Sequence, residues 1–144
     1  MKRFAVAGLV PCPPQDLAAH LLDAERATRI WPQVARGAPI SAGEDWWEAG
    51  PDLDGGGAEV VVRYRRVEGR VSTGPEVLAS SPGTGELEVH RFLAARGGCL
   101  WTVESHAEPH RGEPWMRFVR RRLHRRATVE AMVDAAAGYF AAQR

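Results

Sequence analysis

The sequence is poor in the features that mark several large protein classes. It has two cysteines, Cys12 and Cys99, far apart in the chain, so no disulfide framework is predicted and a reducing cytoplasm is the expected compartment. No stretch approaches the roughly 20 apolar residues that cross a bilayer. A formal net charge of +1 gives no general attraction to polyanions. Gly-x-Ser-x-Gly, P-loop and dinucleotide fingerprints are missing, so serine hydrolysis, nucleotide hydrolysis and Rossmann-type hydride transfer are not indicated.

A metal site is not predicted either. His106, His110 and Cys99 come nearest to a ligand set, but strand alternation and an intervening proline give them no shared face. Residues 52–57 begin with the Asp-x-Asp-Gly pattern of calcium loops, yet Arg63 stands where such a loop needs its bidentate glutamate, so a glycine-rich turn is predicted instead. We expect no metal and no cofactor.

The strongest pattern that is present lies in residues 114–143, which read as one amphipathic helix. Pro114 suits the first turn, and no proline follows it. At ~1.5 Å per residue the helix is about 45 Å long, too long for a small domain unless other elements wrap round it. Its apolar stripe is predicted to contain Trp115, Met116, Val119, Leu123, Ala127, Met132, Val133, Ala136, Ala137 and Phe140.

The remainder of the chain predicts one strand, two short helices and then a series of strands. With 144 residues and 44% hydrophobic content, the chain fits one domain over 1–144. Alternation, turn residues and proline positions predict a first strand at 3–10, helices from Pro14 and over 23–31, and later strands at 37–48 with a turn near Gly43, 58–67, 71–80, 85–94 and 99–106.

Several local motifs carry a resemblance to a known superfamily. They are the proline-containing turn at 10–17, Asp23, Ile30-Trp31-Pro32, the Gly97-Gly98 hairpin and the Arg-rich last helix. In this order they resemble the START-like helix-grip superfamily, also called SRPBCC, and most of all its polyketide cyclase/dehydrase and lipid transport branch. The resemblance implies an α+β helix-grip fold, with a curved antiparallel sheet of about seven strands wrapped round the C-terminal helix. It also implies a hydrophobic small molecule bound in a cavity between them.

The catalytic candidates come from the strand faces that should line such a cavity. Alternation places Val62, Tyr64 and Arg66 on one inner face, and Val89 and Arg91 on the next. Under the resemblance, an arginine stabilises the enolate of a β-ketone and Tyr64 donates or relays a proton. The alternative is that both arginines reach solvent along their aliphatic stems.

Three titratable residues would form an acid–base set if the strands were shifted by one position. His90, Glu104 and His106 are expected on the outer face as surface neighbours. A shift of one residue would turn them inward, where histidine suits proton transfer for a dehydration. His90 therefore belongs to the catalytic candidates with Arg91, Tyr64 and Arg66.

The ligand-binding candidates are mostly aromatic. Indoles in this fold can pack as core or stack on a flat or polyunsaturated ligand, and both interpretations are open. The predicted ligand-binding residues are Trp31, Trp47, Val62, Val89, Trp101, Val103, Trp115, Val119 and Leu123.

An arginine cluster on the last helix has three interpretations. Arg117, Arg120, Arg121 and Arg125 could form a solvated face, dock an acidic acyl carrier protein, or contact anionic lipid. Nucleic acid is not predicted, because no basic groove or stacking platform matches the cluster. The favoured function is a cofactor-independent polyketide cyclase, aromatase or dehydratase in biosynthesis. A non-catalytic lipid or isoprenoid carrier and a regulatory interaction module are the alternatives.

Overall fold

The computed structural model describes residues 1–32, 39–50, 62–67, 74–81 and 83–143, with backbone alone for residues 39 and 40. The turn predicted at 52–57 and the beginnings of the strands predicted at 37, 58 and 71 lie outside the described residues. The described elements follow the predicted order of strand, two helices, strands and a long helix.

Within the described residues, seven antiparallel strands form one sheet in the order β1-β7-β6-β5-β4-β3-β2. The two helices that follow β1 in the chain therefore connect the two outermost strands of the sheet. The strands are β1 (Arg3–Val10), β2 (Pro39–Ala42), β3 (Trp46–Ala49), β4 (Val62–Val67), β5 (Glu76–Ser81), β6 (Glu86–Ala95) and β7 (Gly98–His106); the helices are α1 (Pro14–Leu21), α2 (Ala24–Ile30) and α3 (Trp115–Ala142).

Local sequence explains where the short helices and the last hairpin begin and end. Pro14 occupies the first turn of α1, where no backbone N–H is needed. Asp23 caps α2, because its side chain accepts a hydrogen bond from the backbone N–H of Arg26 at 3.1 Å. Gly97, with φ of +87°, supplies the left-handed turn between β6 and β7.

α3 packs against the sheet and is tied to the other helices. A Cβ added to Gly8 of β1 would lie 2.4 Å from Val133 Cγ1, so only glycine allows this approach of strand and helix. The indole N–H of Trp31, at the end of α2, donates to the Met132 carbonyl of α3 at 2.8 Å. The predicted helix-grip architecture is thereby confirmed, and no described helix is long and apolar enough to span a bilayer.

The buried stripe of α3 was predicted correctly only in its second half. Met132, Val133, Ala136 and Phe140 are buried as expected, whereas the apolar residues predicted to be buried in the first half, Trp115, Met116, Leu123 and Ala127, are exposed. The side chains that meet the sheet there are Phe118, Arg121, Arg122 and Arg125. The apolar pattern was misleading because three of these positions are arginines that meet carboxylates of β6.

On β7 the residues predicted to face the interior do so, whereas on β6 the opposite set of residues faces the interior. Cys99, Trp101, Val103 and Ser105 are all buried, as expected for the inner face of β7. Register pairs His90 with Val103 and Phe92 with Trp101, so the even-numbered residues of β6 also face inward. The inward orientation predicted for Val89 and Arg91 is therefore wrong.

Candidate functional site

A buried ion pair connects the inner face of β6 to α3. The guanidinium of Arg125 donates from Nε to Glu88 Oε2 at 2.6 Å, and its Nη2 also contacts Glu88 Oε1. Ser105 of β7 adds a hydrogen bond from Oγ to Glu88 Oε2 at 3.3 Å. The Glu88 side chain is 4% exposed and the Arg125 side chain 25%, so the pair is largely removed from water.

The pair holds both of its members in their charged forms. Burial alone would raise the pKa of Glu88, but the hydrogen bond and charge of Arg125, with smaller contributions from His90 and Ser105, lower it overall. Burial alone would lower the pKa of Arg125, and the Glu88 carboxylate outweighs this effect and raises it. Glu88 is therefore a carboxylate whose oxygens are already engaged, and this makes it a weak base.

His90 lies beside this pair as a neutral hydrogen-bond donor. Burial lowers its pKa to about 4, although the neighbouring Glu88 carboxylate opposes the change. The 4.0 Å separation of His90 Nε2 from Glu88 Oε1 is consequently not an ion pair at neutral pH. The Trp101 indole N–H donates to His90 Nδ1 at 3.1 Å, so the ring proton must reside on Nε2.

The Nε2–H group of His90 is the unusual atom of this site. His90 is fully buried, and Nε2 has no hydrogen-bond partner among the described residues. A buried donor that goes unpaired costs about 1–3 kcal/mol, so native proteins rarely retain one without a reason. An oxygen atom of a bound molecule would remove that cost.

Tyr64 adds a second neutral donor next to His90. Its ring stacks on Trp47 with centroids 4.8 Å apart and lies 6.4 Å from the His90 ring. Burial raises the pKa of Tyr64 to about 12, and the charge of Arg125 only partly opposes this. The hydroxyl therefore keeps its proton at physiological pH. We call Tyr64, Glu88, His90, Ser105 and Arg125 the interior polar cluster.

The cluster includes two of the four predicted catalytic residues. Tyr64 and His90 face inward, His90 because β6 is shifted by one position from the expected orientation. Arg91 lies on the outer face, where it pairs with Glu76 at 3.3 Å and Glu104 at 3.1 Å. The inward placement predicted for Arg91 is wrong, and its carboxylate partners explain its position.

Arg66 also lies outside the cluster. Its side chain is 39% exposed and Nε lies 3.4 Å from Asp45 Oδ1. Arg66 stands one residue before the end of β4, where the chain can release a long side chain to water. The solvent-exposed alternative is therefore the observed arrangement for Arg66, whereas Arg91 is half-buried on the outer face between two carboxylates. Glu104 and His106 lie on the outer face with Arg91 and do not join His90.

The predicted ligand-binding residues divide into three groups. Trp31, Trp47, Trp101 and Val103 are fully buried, and Val62 packs against the core. The ring centroids of Trp31 and Trp101 lie 5.5 Å apart, so these two indoles pack against each other in the core. Val89 is on the outer face and Val119 is half-buried, whereas Trp115 and Leu123 are 54% and 52% exposed. The interior placement of Val89, Trp115 and Leu123 is therefore wrong.

The arginine cluster of α3 separates into inner and outer members. Arg121 pairs with Glu113 at 2.9 Å and Glu86 at 3.2 Å, and Arg125 pairs with Glu88. Arg117 and Arg120 remain exposed. A docking surface for an anionic partner can therefore use Arg117 and Arg120, but Arg121 and Arg125 are already committed to carboxylates of the chain.

Two polar residues of the interior, Glu88 and Arg122, were missed by the sequence analysis. Glu88 follows the alternation of His90, and that alternation could have found it once β6 was placed correctly. Arg122 is fully buried and donates from Nε to the Met1 carbonyl at 3.1 Å. Its Nη1 lies 3.5 Å from Glu86 without hydrogen-bond geometry, and burial lowers the Arg122 pKa.

An open groove of about 820 Å³ lies away from the interior polar cluster. It runs between the start of β1 and the chain that precedes α3, lined by Lys2, Arg3, Leu87 and His106 among others. None of the predicted catalytic or ligand-binding residues lines this groove. Within the described ranges, no three His, Cys, Asp or Glu side chains are grouped as a metal site would require.

Comparison with known proteins supports the fold. No family model and no curated protein matches the chain. A protein of unknown function from Staphylococcus aureus matches 98% of this chain and 94% of its own, with a TM-score of 0.62 and 12% identity. Ara h 8.0201 matches 97% of each chain, with a TM-score of 0.57 and 14% identity.

A third similar structure is the di-domain ARO/CYC StfQ from the steffimycin biosynthetic pathway. It matches 99% of this chain with a TM-score of 0.62 and 16% identity, and this chain spans 51% of its length. At these identities the likenesses concern the fold, and they agree with the predicted helix-grip architecture.

Proposed function

We propose that this helix-grip protein binds a hydrophobic, carbonyl-bearing molecule between the sheet and α3, and that it acts on a polyketide-type chain as a cyclase, aromatase or dehydratase. The observation that carries the proposal is the buried Nε2–H of His90, unpaired among the described residues and held in this tautomer by Trp101. The likeness in fold to an ARO/CYC protein of a biosynthetic pathway is consistent with it.

The reaction would rest on polarisation of a ketone. A ketone oxygen accepts a hydrogen bond from His90 Nε2–H, with the Tyr64 hydroxyl as the second donor. Both donors stabilise the negative charge that develops on oxygen when a methylene between two carbonyls loses a proton to water. The resulting carbanion attacks another carbonyl of the same chain. Tyr64 protonates the new alkoxide and recovers its proton from the hydronium ion formed in the first step. The new hydroxyl group and a second proton from the adjacent carbon then leave as one molecule of water, which completes a dehydration.

The protein's second contribution would be to hold the chain in one conformation. A flexible poly-β-ketone can close several rings, and confinement against Trp47 and Trp101 would favour one of them. A buried Glu88–Arg125 pair next to the ketone fixes the electrostatic field without itself exchanging protons. Under this proposal, an acyl carrier protein that delivers a tethered chain is a possible partner, and the protein works in the cytoplasm, where Cys12 and Cys99 stay reduced.

A non-catalytic lipid or isoprenoid carrier is the second candidate, and one observation favours it. A general base works best with a pKa near the operating pH, whereas the pKa of His90 is about 4 and that of Tyr64 is about 12. Glu88 is engaged by Arg125. The interior polar cluster could therefore recognise an oxygen atom of a cargo without any turnover.

The test uses two substitutions of one residue. His90→Asn keeps an acceptor for the Trp101 indole but removes the Nε2–H donor. His90→Gln instead keeps a donor near the position of Nε2. Wild type and both variants are incubated with a linear poly-β-ketone thioester of N-acetylcysteamine, and water loss is followed by mass spectrometry. Loss of one oxyanion donor lowers kcat by about 10²-fold or more, so His90→Asn should be the slower variant.

The possible outcomes separate the candidates. Equal turnover by all three proteins would contradict a polarising role for His90. The carrier is favoured if the wild type shows no turnover but the thioester quenches its tryptophan fluorescence, and if His90→Asn weakens this quenching. If the wild type shows neither turnover nor quenching, both candidates are contradicted. Mass spectrometry of molecules released from the purified protein by denaturation gives an independent reading of the ligand class.

A further inference from the structure

The first half of α3 exposes more apolar surface than a solvated helix requires. Trp115, Met116 and Leu123 are 54%, 71% and 52% exposed. Trp115, Val119 and Leu123 follow at intervals of four residues, and Met116 lies three residues before Val119, so these residues share one side of α3. We call these four residues the apolar surface of α3. Such a patch on a protein surface marks an interaction site more often than chance.

The charges around this surface have one sign. Residues 114–129 contain six arginines and no acidic residue. Three of the arginines, Arg121, Arg122 and Arg125, turn toward the sheet and meet Glu113, Glu86 and Glu88. Of the other three, Arg126 pairs with the exposed Glu130, and Arg117 and Arg120 form no ion pair with any described residue. Arg117 and Arg120 therefore form a cationic border beside the exposed apolar side chains.

We propose that the apolar surface of α3, with Arg117 and Arg120, binds the surface of a bilayer that contains anionic phospholipids. The side chains project from the outer side of a helix, and a deformable lipid surface can enclose such a convex patch more fully than a rigid protein surface. Tryptophan is enriched at the boundary between headgroups and acyl chains, and arginine gains affinity from anionic headgroups. Glu130 and Asp134, further along α3, limit the contact to its first turns.

This inference goes beyond the proposed function and does not depend on it. A protein with a hydrophobic ligand gains from contact with the phase in which such a ligand dissolves, whether the ligand is then converted or only carried. The interior polar cluster and the apolar surface of α3 share no residue, so a variant of one leaves the other intact.

The experiment is co-sedimentation with vesicles of phosphatidylcholine, alone or mixed with phosphatidylglycerol, at low and high salt. The wild-type protein should sediment with the mixed vesicles and much less with pure phosphatidylcholine, and salt should weaken the binding. Trp115→Ser combined with Leu123→Ser should lower the partition coefficient at least about tenfold, because two apolar side chains no longer enter the interface. Arg117→Glu combined with Arg120→Glu should lower it by a similar factor.

Matched controls come from other exposed positions. Leu9→Ser removes a leucine that is 62% exposed on β1, and Arg96→Glu reverses an exposed arginine in the β6–β7 turn. Neither should change vesicle binding. Circular dichroism and urea unfolding confirm that each variant keeps its fold, which is expected because the substituted side chains are largely exposed.

Three results would overturn the proposal. The first is failure of the wild type to sediment with mixed vesicles at low salt, whether or not it binds an acidic carrier protein. The second is vesicle binding that neither double variant weakens, which assigns the binding to another surface. The third is a dimer, seen by light scattering, that Trp115→Ser with Leu123→Ser converts to monomer, which assigns the apolar surface to a second copy of the chain.

Discussion

The buried Glu88–Arg125 pair allows a quantitative stability prediction. Arg125→Met keeps most of the apolar stem and removes the guanidinium, so Glu88 is left in the interior without its partner. Breaking a buried pair in this way costs about 3–5 kcal/mol. Because the Arg125 side chain is 25% exposed and the Glu88 side chain only 4%, some water can reach the vacated position. We therefore expect a loss at the lower end, about 3 kcal/mol at pH 7.

The loss should depend on pH with a defined sign. In the wild type the Glu88 pKa lies below its ordinary 4.5, so the pair contributes stability above pH 4.5 that is lost as the pH falls through the folded-state pKa. In Arg125→Met, burial acts without the guanidinium and raises the folded-state pKa of Glu88 above 4.5. The carboxyl group of the variant then takes up a proton on acidification. The stability gap between wild type and variant is therefore largest at neutral pH and shrinks toward pH 4.5.

Urea unfolding followed by tryptophan fluorescence at pH 7 and at mildly acidic pH measures this gap. The matched control is Arg126→Met on the same helix, since Arg126 pairs with Glu130 and both side chains are about half exposed. That variant should lose no more than about 0.5 kcal/mol. Glu88→Gln combined with Arg125→Met should recover part of the loss, because no buried charge remains. Equal losses for the two single variants, or a gap that is constant with pH, would refute the reasoning.

Three further variants test other contacts by urea unfolding. Gly8→Ala should destabilise the protein by about 1–3 kcal/mol, because the new Cβ would meet Val133 at 2.4 Å, and Val133→Ala should relieve much of this. Arg122→Met should cost about 2 kcal/mol, because the Met1 carbonyl loses its donor and the Lys2 carbonyl keeps only the Ala107 N–H; an unchanged midpoint would contradict this. Trp47→Phe should cost about 1–3 kcal/mol, since its indole donates to the Leu21 carbonyl at 2.8 Å; no loss would contradict this bond.

Element order could be predicted from the sequence because local signals agreed with the final structure. Pro14 and Asp23 fix the beginnings of α1 and α2, and alternation over β7 identified its inner face. Each of these signals depends on residues near one another in the chain. The fold class followed from their order, supported by the resemblance to helix-grip proteins.

The orientation of β6 could not be obtained in the same way. Leu87, Val89 and Leu93 suggest an apolar inner face, yet Glu88 and His90 point inward. Glu88 is stable there because Arg125 meets it from 37 positions further along the chain. A polar residue can thus occupy a core position when its partner is distant, and the local pattern contains no trace of that partner.

The same long-range dependence explains which arginines of α3 were misassigned. Arg121 and Arg125 look as exposed in the sequence as Arg117 and Arg120, because all four belong to one basic stretch. Only the position of β6 decides that the first two meet Glu86 and Glu88. The apolar residues displaced from the buried stripe then become the exposed surface of the first turns.

The ionisation states of the interior polar cluster lead to a last prediction about pH. His90 remains neutral above its pKa of about 4, and Tyr64 remains neutral below its pKa of about 12. Glu88, whose pKa is lowered from 4.5 by Arg125, and Arg125, whose pKa is raised by Glu88, are both charged near neutral pH. If catalysis uses only polarisation by this cluster, kcat should be nearly constant between about pH 6 and pH 9. The measurement is kcat against pH with the poly-β-ketone thioester, with His90→Gln as the comparison. A bell-shaped profile centred near neutrality would show that a group outside the cluster supplies acid–base catalysis, and polarisation alone would then be insufficient.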